Sequence, residues 1–400
     1  MKIAVVADHH YYADENGNVY VPTVYGYSYW SRYLDVFEEI TVVCRGNVDV
    51  PFDKEKMLLA SGKGVKFAFI PDFSGFKEMA LRYVSANREL KKHLSSCDFA
   101  FVRVPSPLSR LAVNYLIRHK KLFACEVAAD PAECFGATPF PAVVKGVMKR
   151  HCQQACLHAN GATYVTREAL QKRYPSHARL HGASESHFET YYSNANLPAW
   201  FYEHSRSYEK KPDTLELIHV ANHISGRGKG HYVCVDIVKK LQQMHLPVRL
   251  TFVGDGPGVP ALKDYAREQG VTQALRFAGR MADAMALRDA YLQADILLLP
   301  SRTEGLPRCM VEAMACSLVC LGSDAGGIPE LLKPEDMCAW QDAEGFARRI
   351  GQLWEQWHQM QSKSAQNRLL AEQYSADVLK ERRDAFYRKA KQLCKEGEQL

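Results

Sequence analysis

The sequence predicts an α/β protein of two Rossmann-like, doubly wound domains facing each other across a cleft, and three observations carry that expectation. Short β-rich runs alternate with longer helical patterns along most of the chain. The pattern occurs twice, in halves separated by an irregular stretch rich in Asn, Pro, Tyr and charge. The chain has 400 residues, where a single domain ordinarily takes about 100–200. Near-continuous apolar strands joined by helical crossovers imply parallel sheets covered on both faces.

In the first half, Ile3 to Ala7 reads as a buried strand that ends at the polar Asp8-His9-His10. Tyr27 to Ile40 reads as a helix with Trp30, Tyr33, Leu34 and Phe37 on one face. Strands follow at Thr41 to Cys44, Phe67 to Ile70, Phe99 to Val104, Leu122 to Val127 and Thr163 to Thr166. Helical stretches such as Lys77 to Ser95 and Leu108 to His119 lie between them. In the second half the strands are Leu215 to Ala221, Val248 to Gly254, Leu275 to Ala278, Ile296 to Pro300 and Leu318 to Gly322. Helices fall between them at about 231–245, 259–269, 284–292 and 308–316. The expected division is a first domain over 1–195, a connection over 196–213 and a second domain over 214–363, followed by a terminal helix over 364–400. The tail from Glu344 is polar and Pro-free, with Trp354 and Trp357 as anchors.

Composition excludes several classes. Lys and Arg number 51 against 45 Asp and Glu, a net charge of +6. That is weak for a nucleic-acid binder, and no recognised binding motif accompanies it. An apolar fraction of 47% and a charged fraction of 24% are ordinary for soluble globular chains and rule out disordered, collagen-like and coiled-coil proteins. No run reaches the roughly 18 apolar residues of a membrane span. The apolar start is too short for a signal peptide. The twelve cysteines include no CxxC pair. Cys152 and Cys156 near His151 and His158 raise a metal site, but buried reduced thiols of a cytosolic protein are the simpler reading.

Ligands of doubly wound sheets sit beyond the carboxyl ends of strands, and residues 299–331 hold the strongest signal there. The strand ends at Pro300, Glu304-Gly305 forms a loop, and Pro307 suits the first turn of a helix. Amides of Gly305, Leu306 and Arg308, backed by the helix dipole, would suit a phosphate. Glu304 in the loop and Glu312 one turn inside the helix would accept hydroxyls of a sugar or ribose. Gly326-Gly327 makes a second close-approach loop.

The segment Glu304-Gly-Leu-Pro-Arg-Cys-Met-Val-Glu312-Ala-Met-Ala, followed by Gly326-Gly-Ile-Pro-Glu-Leu-Leu332, resembles retaining glycosyltransferases of the GT-B fold, family 4. The resemblance covers about residues 215–335 and extends to exopolysaccharide, capsule and lipopolysaccharide members. It implies that Glu304 meets the donor sugar, Glu312 the nucleotide ribose, and Gly305, Leu306 and Pro307 the diphosphate or sugar. It places Gly254 and Asp255 at the rim of the cleft and Arg280 near the base. Lys229 matches the family's lysine, whose charge would neutralise the leaving diphosphate. Asn222 stands where the family has an arginine, and Arg227 is the candidate to replace it. In the first domain, Asn16-Gly17-Asn18 departs from the usual glycine-rich loop, and no His follows the strand that ends near Val127. Glu126 and Asp130 stand there instead as candidates to orient acceptor or sugar, with Asp130 equally a helix cap.

The implied reaction is transfer of a sugar from a nucleotide donor, UDP first, to a hydroxyl of a glycan or lipid-linked glycan. It implies retention of anomeric configuration, no cofactor and no metal. The first domain would take the acceptor, and the terminal helix would pack back on it. Val143 to Ala159 reads as a basic amphipathic helix suited to peripheral contact with the inner membrane face. Two rival readings share the fold: a nucleotide-sugar epimerase, whose signature differs from Glu304-x7-Glu312, and a degenerate binding protein, against which the intact pair and Lys229 argue.

Overall fold

Seven apolar runs of the first half pair in parallel. The computed structural model describes residues 1–48, 50–73, 75–134, 141–281 and 283–397, and they divide into two units. Unit 1 comprises Met1–Val165, Leu170–Tyr192 and the chain from Glu381; unit 2 comprises Thr166–Ala169 and Ser193–Lys380.

In unit 1 the parallel order is Val65–Pro71, Ile40–Asn47, Ile3–Ala13, Phe99–Val104, Phe123–Val127, Gly161–Tyr164 and Phe188–Tyr191. The first strand does not stop at Ala7 as expected. It continues to Ala13 and pairs there with Val19–Val21, the turn between them holding Asn16-Gly17-Asn18. The polar run is tolerated because its charges are matched: Asp8 meets Arg45 at 2.5 Å and accepts the Leu108 amide at 3.1 Å, while His10 meets Asp72 at 3.0 Å.

The helix expected over 27–40 is a single turn, Tyr27–Trp30, followed by a 3-10 turn, Ser31–Tyr33. Its aromatic residues do bury, but each polar tip has a partner that a continuous helix would not supply. Trp30 Nε1 donates to Tyr11 Oη at 3.1 Å, and Tyr33 Oη donates to Glu126 at 2.9 Å. Tertiary hydrogen bonds thus prevail over a run of middling helix formers.

Three helices, Gly75–Ser95, Pro107–Arg118 and Pro141–His158, pack side by side on this sheet. Leu90, Leu94, Ala112, Leu116, Cys152 and Ala155 point inward into one core shared with the strands. The middle helix is capped at its N-terminus by a reciprocal pair, Ser106 and Ser109 exchanging side-chain-to-amide bonds, a device worth about 1 kcal/mol. His151 bonds Ser109 at 2.9 Å, and Cys156 lies 3.8 Å from Cys125. Among the described residues no group of His, Cys, Asp and Glu is arranged to hold a metal ion.

Unit 2 has the order Leu275–Gly279, Val248–Asp255, Leu215–His223, Ile296–Leu299, Val319–Ser323, Met337–Cys338, all parallel. Ile296–Leu299 is buried at every position. Each such side chain removed from water contributes about 1.5–3 kcal/mol, which is why a four-residue strand holds the centre of the sheet. The order reverses between Leu215–His223 and Ile296–Leu299, and a ligand crevice belongs beyond their carboxyl ends.

Residues 196–213 are packed into unit 2. Arg206 pairs with Asp295 at 2.5 Å, and Tyr208 Oη donates to Asp295 O at 2.6 Å while accepting the Val319 amide at 3.0 Å. The tail forms three helices, Ala343–Glu355, His358–Glu372 and Ala376–Gly397. Membership of unit 1 begins at Glu381, where Phe386 and Tyr387 bury against Phe101. The last three residues of the expected 364–400 helix lie outside the described residues.

Candidate functional site

The sheet of unit 2 delivers three loops to one place. After Leu215–His223 the chain runs through Ser225–Gly228 to Lys229 and enters the helix His231–Gln243. After Ile296–Leu299 it passes Glu304 and enters the helix Arg308–Ala315. The third loop, after Val319–Ser323, carries Gly326-Gly327. Contacts between them are backbone to backbone: the Arg302 amide donates to Gly228 O at 2.8 Å and the Gly327 amide to Gly305 O at 2.7 Å.

Two glycines allow this approach. Gly230 has φ +81°, and a Cβ there would stand 2.1 Å from Pro300 O. Gly326 has φ +55°, and a Cβ there would stand 1.6 Å from Glu304 O. No side chain fits either gap.

The result is a cleft of about 530 Å³ whose lining includes Asn222, Lys229, Leu306, Arg308, Cys309 and Glu312, with Glu304 and Pro307 beside them. Lys229 Nζ lies 2.8 Å from Glu304 Oε1. Glu304 is 9% exposed, but the lysine side chain is 44% exposed. A half-solvated pair of this kind contributes about 0–1 kcal/mol to the fold, so a ligand can take over either partner at little cost. Pro307 occupies the N-cap rather than the first turn, and no side chain caps the helix. The amides of Arg308 and Cys309, at the cleft wall, therefore keep their donor capacity for an anion. Glu312 accepts from Tyr291 Oη at 3.0 Å. Burial pushes its carboxyl above the ordinary glutamate range, against the opposing pull of Tyr291 and Arg308.

Beneath Lys229 lie two neutral imidazoles, His219 and His231, with ring centroids 4.6 Å apart. Burial pushes them down to about 3 and about 4, so they add no charge beside the lysine.

The other expected residues are distributed unevenly. Asn222 and Lys229 line the cleft. Gly254 and Asp255 end the neighbouring strand, and Asp255 accepts the Gly256 amide at 2.7 Å. Arg280 is exposed after Leu275–Gly279. Arg227 is exposed and lies over the Tyr232 ring, 4.7 Å from its centroid, and does not line the cleft.

Glu126 and Asp130 belong to unit 1 and are already engaged. Glu126 meets Arg103 at 2.7 Å and accepts from Tyr33 at 2.9 Å and Tyr192 at 3.0 Å. Burial raises its pKa, yet Arg103 and Arg32 outweigh that and hold it below the ordinary range. Asp130 accepts the Ala132 amide at 2.8 Å and Tyr174 Oη at 2.8 Å, and pairs with Arg173, which is a capping role.

Three participants were not singled out by the sequence. Tyr291 reaches Glu312 from the preceding helix, with no motif to mark it. Cys309 was one of twelve scattered cysteines. Glu330, inside the Gly326-Gly-Ile-Pro-Glu motif, accepts the amides of Arg167, Glu168 and Ala169 at 2.6, 2.9 and 2.5 Å. Its signal was present, but its partners lie more than 160 residues away in the chain.

Residues 214–356 match the family model for glycosyl transferases group 1. The chain is similar to protein CapJ of Staphylococcus aureus, 26% identical over 327 residues and covering 78% of each chain. Among solved structures, a lipopolysaccharide outer core galactosyltransferase, WaaB, superposes with a TM-score of 0.64 at 17% identity, covering 96% of this chain and 99% of the other. Anabaena HepE in complex with UDP superposes with a TM-score of 0.62 at 15% identity over 100% of both chains. The shared architecture is the GT-B fold.

Proposed function

We propose that the chain, whose residues 214–356 match the family model for glycosyl transferases group 1, moves a sugar from a nucleotide donor to a hydroxyl of a glycan or lipid-linked glycan in surface-polysaccharide synthesis. The observation that carries the reading is the Lys229–Glu304 pair, 2.8 Å apart, beside an uncapped helix start in one cleft. When the donor binds, Glu304 exchanges its lysine for sugar hydroxyls. The released Lys229 and the amides of Arg308 and Cys309 face the diphosphate, where charge grows as the bond to the anomeric carbon breaks. Glu312, held by Tyr291, accepts from the ribose.

In this reading the reaction retains configuration and runs without metal or other cofactor, because lysine and helix supply the positive charge. UDP is the proposed nucleotide; a neighbour of the same fold is solved with UDP. Unit 1 takes the acceptor. The lipopolysaccharide outer core galactosyltransferase supports a surface-glycan product. No helix among the described residues is long and apolar enough to cross a membrane, so contact with a lipid-linked acceptor is peripheral, through the basic helix Pro141–His158, at the cytoplasmic face.

A thermal-shift screen over UDP-, GDP- and ADP-sugars tests the donor. The expected result is a rise in melting temperature with UDP-sugars, abolished in Glu304→Ala and unaffected by EDTA. No response to any of them sinks the reading.

A further inference from the structure

We infer that unit 2 carries a second ligand site, a groove for a neutral glycan on the side of the helix Ala284–Gln293 that faces away from the donor cleft. The groove encloses about 550 Å³, close to the 530 Å³ of the donor cleft and inside the range of about 300–1,000 Å³ usual for ligand sites. One wall is a face of the sheet and the other is that helix.

The sequence keeps this groove open. Strands of a parallel sheet covered on both faces are near-continuously apolar, but Val248-Arg-Leu-Thr-Phe252 and Leu275-Arg-Phe277 alternate. Val248, Leu250 and Phe252 bury in the core, with Leu275 and Phe277 against it. Arg249, Thr251 and Arg276 therefore stand on the opposite face. In register, Glu216 lies beside Arg249 and Thr251 beside Arg276. The helix presents Ala286, Asp289, Ala290 and Gln293 to them, a stripe spaced by three and four. Long apolar side chains at the two alanines would close the gap. Ala284 and Leu287, on another side of the helix, line the donor cleft, and Met281 borders both cavities.

The lining selects the ligand. Arg249 and Arg276 are balanced by Glu216 and Asp289, so no excess charge awaits a phosphate or a polyanion. Among the described residues no Trp, Tyr or Phe lines the groove, so a protein partner finds none of the aromatic anchors that dominate such interfaces. What remains is a set of planar forks, guanidinium, carboxylate and amide, each able to hold two neighbouring hydroxyls at once, over a floor of small apolar groups. The Glu216–Arg249 pair, 2.6 Å apart, is partly solvated, so hydroxyls can replace it at little cost. Desolvation pushes the Glu216 carboxyl above the ordinary glutamate range against the pull of Arg249, a sign that the groove is sheltered from bulk water. A glycan anchored here is held at raised local concentration beside the donor cleft. That use rests on the transferase reading; the binding site itself does not.

The test is calorimetric titration of the full chain with maltohexaose, cellohexaose, chitohexaose and mannohexaose, alone and with saturating UDP. At least one should bind, and equally well with UDP present. Arg276→Ala should weaken that binding about tenfold or more, as loss of a charged hydrogen-bond partner does. Ala286→Trp, which fills the groove from an exposed helix position, should abolish it. Both variants should keep the wild-type melting temperature and its rise with donor. Binding of none of these oligosaccharides overturns the inference. So does displacement by UDP, or binding that neither substitution changes, since each puts the sugar elsewhere. A dimer that Ala286→Trp splits, with no oligosaccharide bound, gives the face to a second copy and overturns it too. A chain that binds oligosaccharide in the groove but no nucleotide sugar overturns the transferase reading alone; one that binds nucleotide sugar but no oligosaccharide overturns the groove alone.

Discussion

Two pairs of carboxylates sit near the carboxyl ends of strands in this molecule, and they have opposite surroundings. Glu126 and Asp130 of unit 1 are buried with their oxygens shared among Arg103, Tyr33, Tyr192, Arg173 and Tyr174. Glu304 and Glu312 of unit 2 line a cleft, one held by a half-exposed lysine and the other by one tyrosine. A carboxylate whose lone pairs are spent inside the fold has nothing left for a substrate. One with a replaceable partner and an open side does. Place after a strand nominates a residue; unspent hydrogen-bonding capacity qualifies it.

The contrast can be broken in graded steps. Glu304→Ala should cost transfer about a thousandfold or more, as loss of a group that acts at the reacting centre does, while circular dichroism and melting temperature stay near wild type. Glu126→Ala should do the reverse. Leaving Arg103 buried and unpaired costs about 3–5 kcal/mol of stability, read by urea unfolding, with kcat of the surviving folded fraction little changed. Because the folded pKa of Glu126 is depressed, its contribution is present above the ordinary carboxyl range and is lost as pH falls through the folded value. Glu126→Gln should therefore flatten the acid limb of the stability profile.

Lys229→Ala should lower kcat about a hundredfold, with stability changed by under about 1 kcal/mol. Tyr291→Phe removes a donor that holds the Glu312 carboxylate down. Its pKa then rises further, and the acid limb of the donor KM profile should move to higher pH, with a severalfold loss of donor affinity at neutral pH. Arg227→Ala should have the smallest effect, under about threefold in kcat/KM, since a solvated cation away from the cleft contributes little. A loss equal to that of Lys229→Ala would mean that the loop 226–230 carries Arg227 to the donor.

Much of this was legible in the residues. Phe99–Val104 reads as a strand because five of its six residues are apolar, and it is one. The Glu304–Glu312 spacing is local, so one helix turn and one loop place both groups. What was hidden depended on distant partners. The polar Asp8-His9-His10 ended a strand on paper and continues it in space, because Arg45 arrives from the neighbouring strand and Asp72 from just beyond the end of Val65–Pro71. The 27–40 period looked helical, yet its aromatic tips answer to Tyr11 and Glu126. Tyr208 sat in an irregular stretch and anchors unit 2 through Asp295 and Val319. Tyr291 had no motif because its role is to reach sideways to a neighbouring helix.

The Gly326 contact changes how substitutions in the cleft should be interpreted. That residue offers no functional group, yet any side chain there would strike the carbonyl of Glu304. A survey of variants scored by turnover alone would therefore rank an inert position beside the reactive ones. The discriminating sign is chemical rescue: added small carboxylates can stand in for a missing Glu304 side chain, whereas nothing in solution can take back a methyl group wedged between two loops.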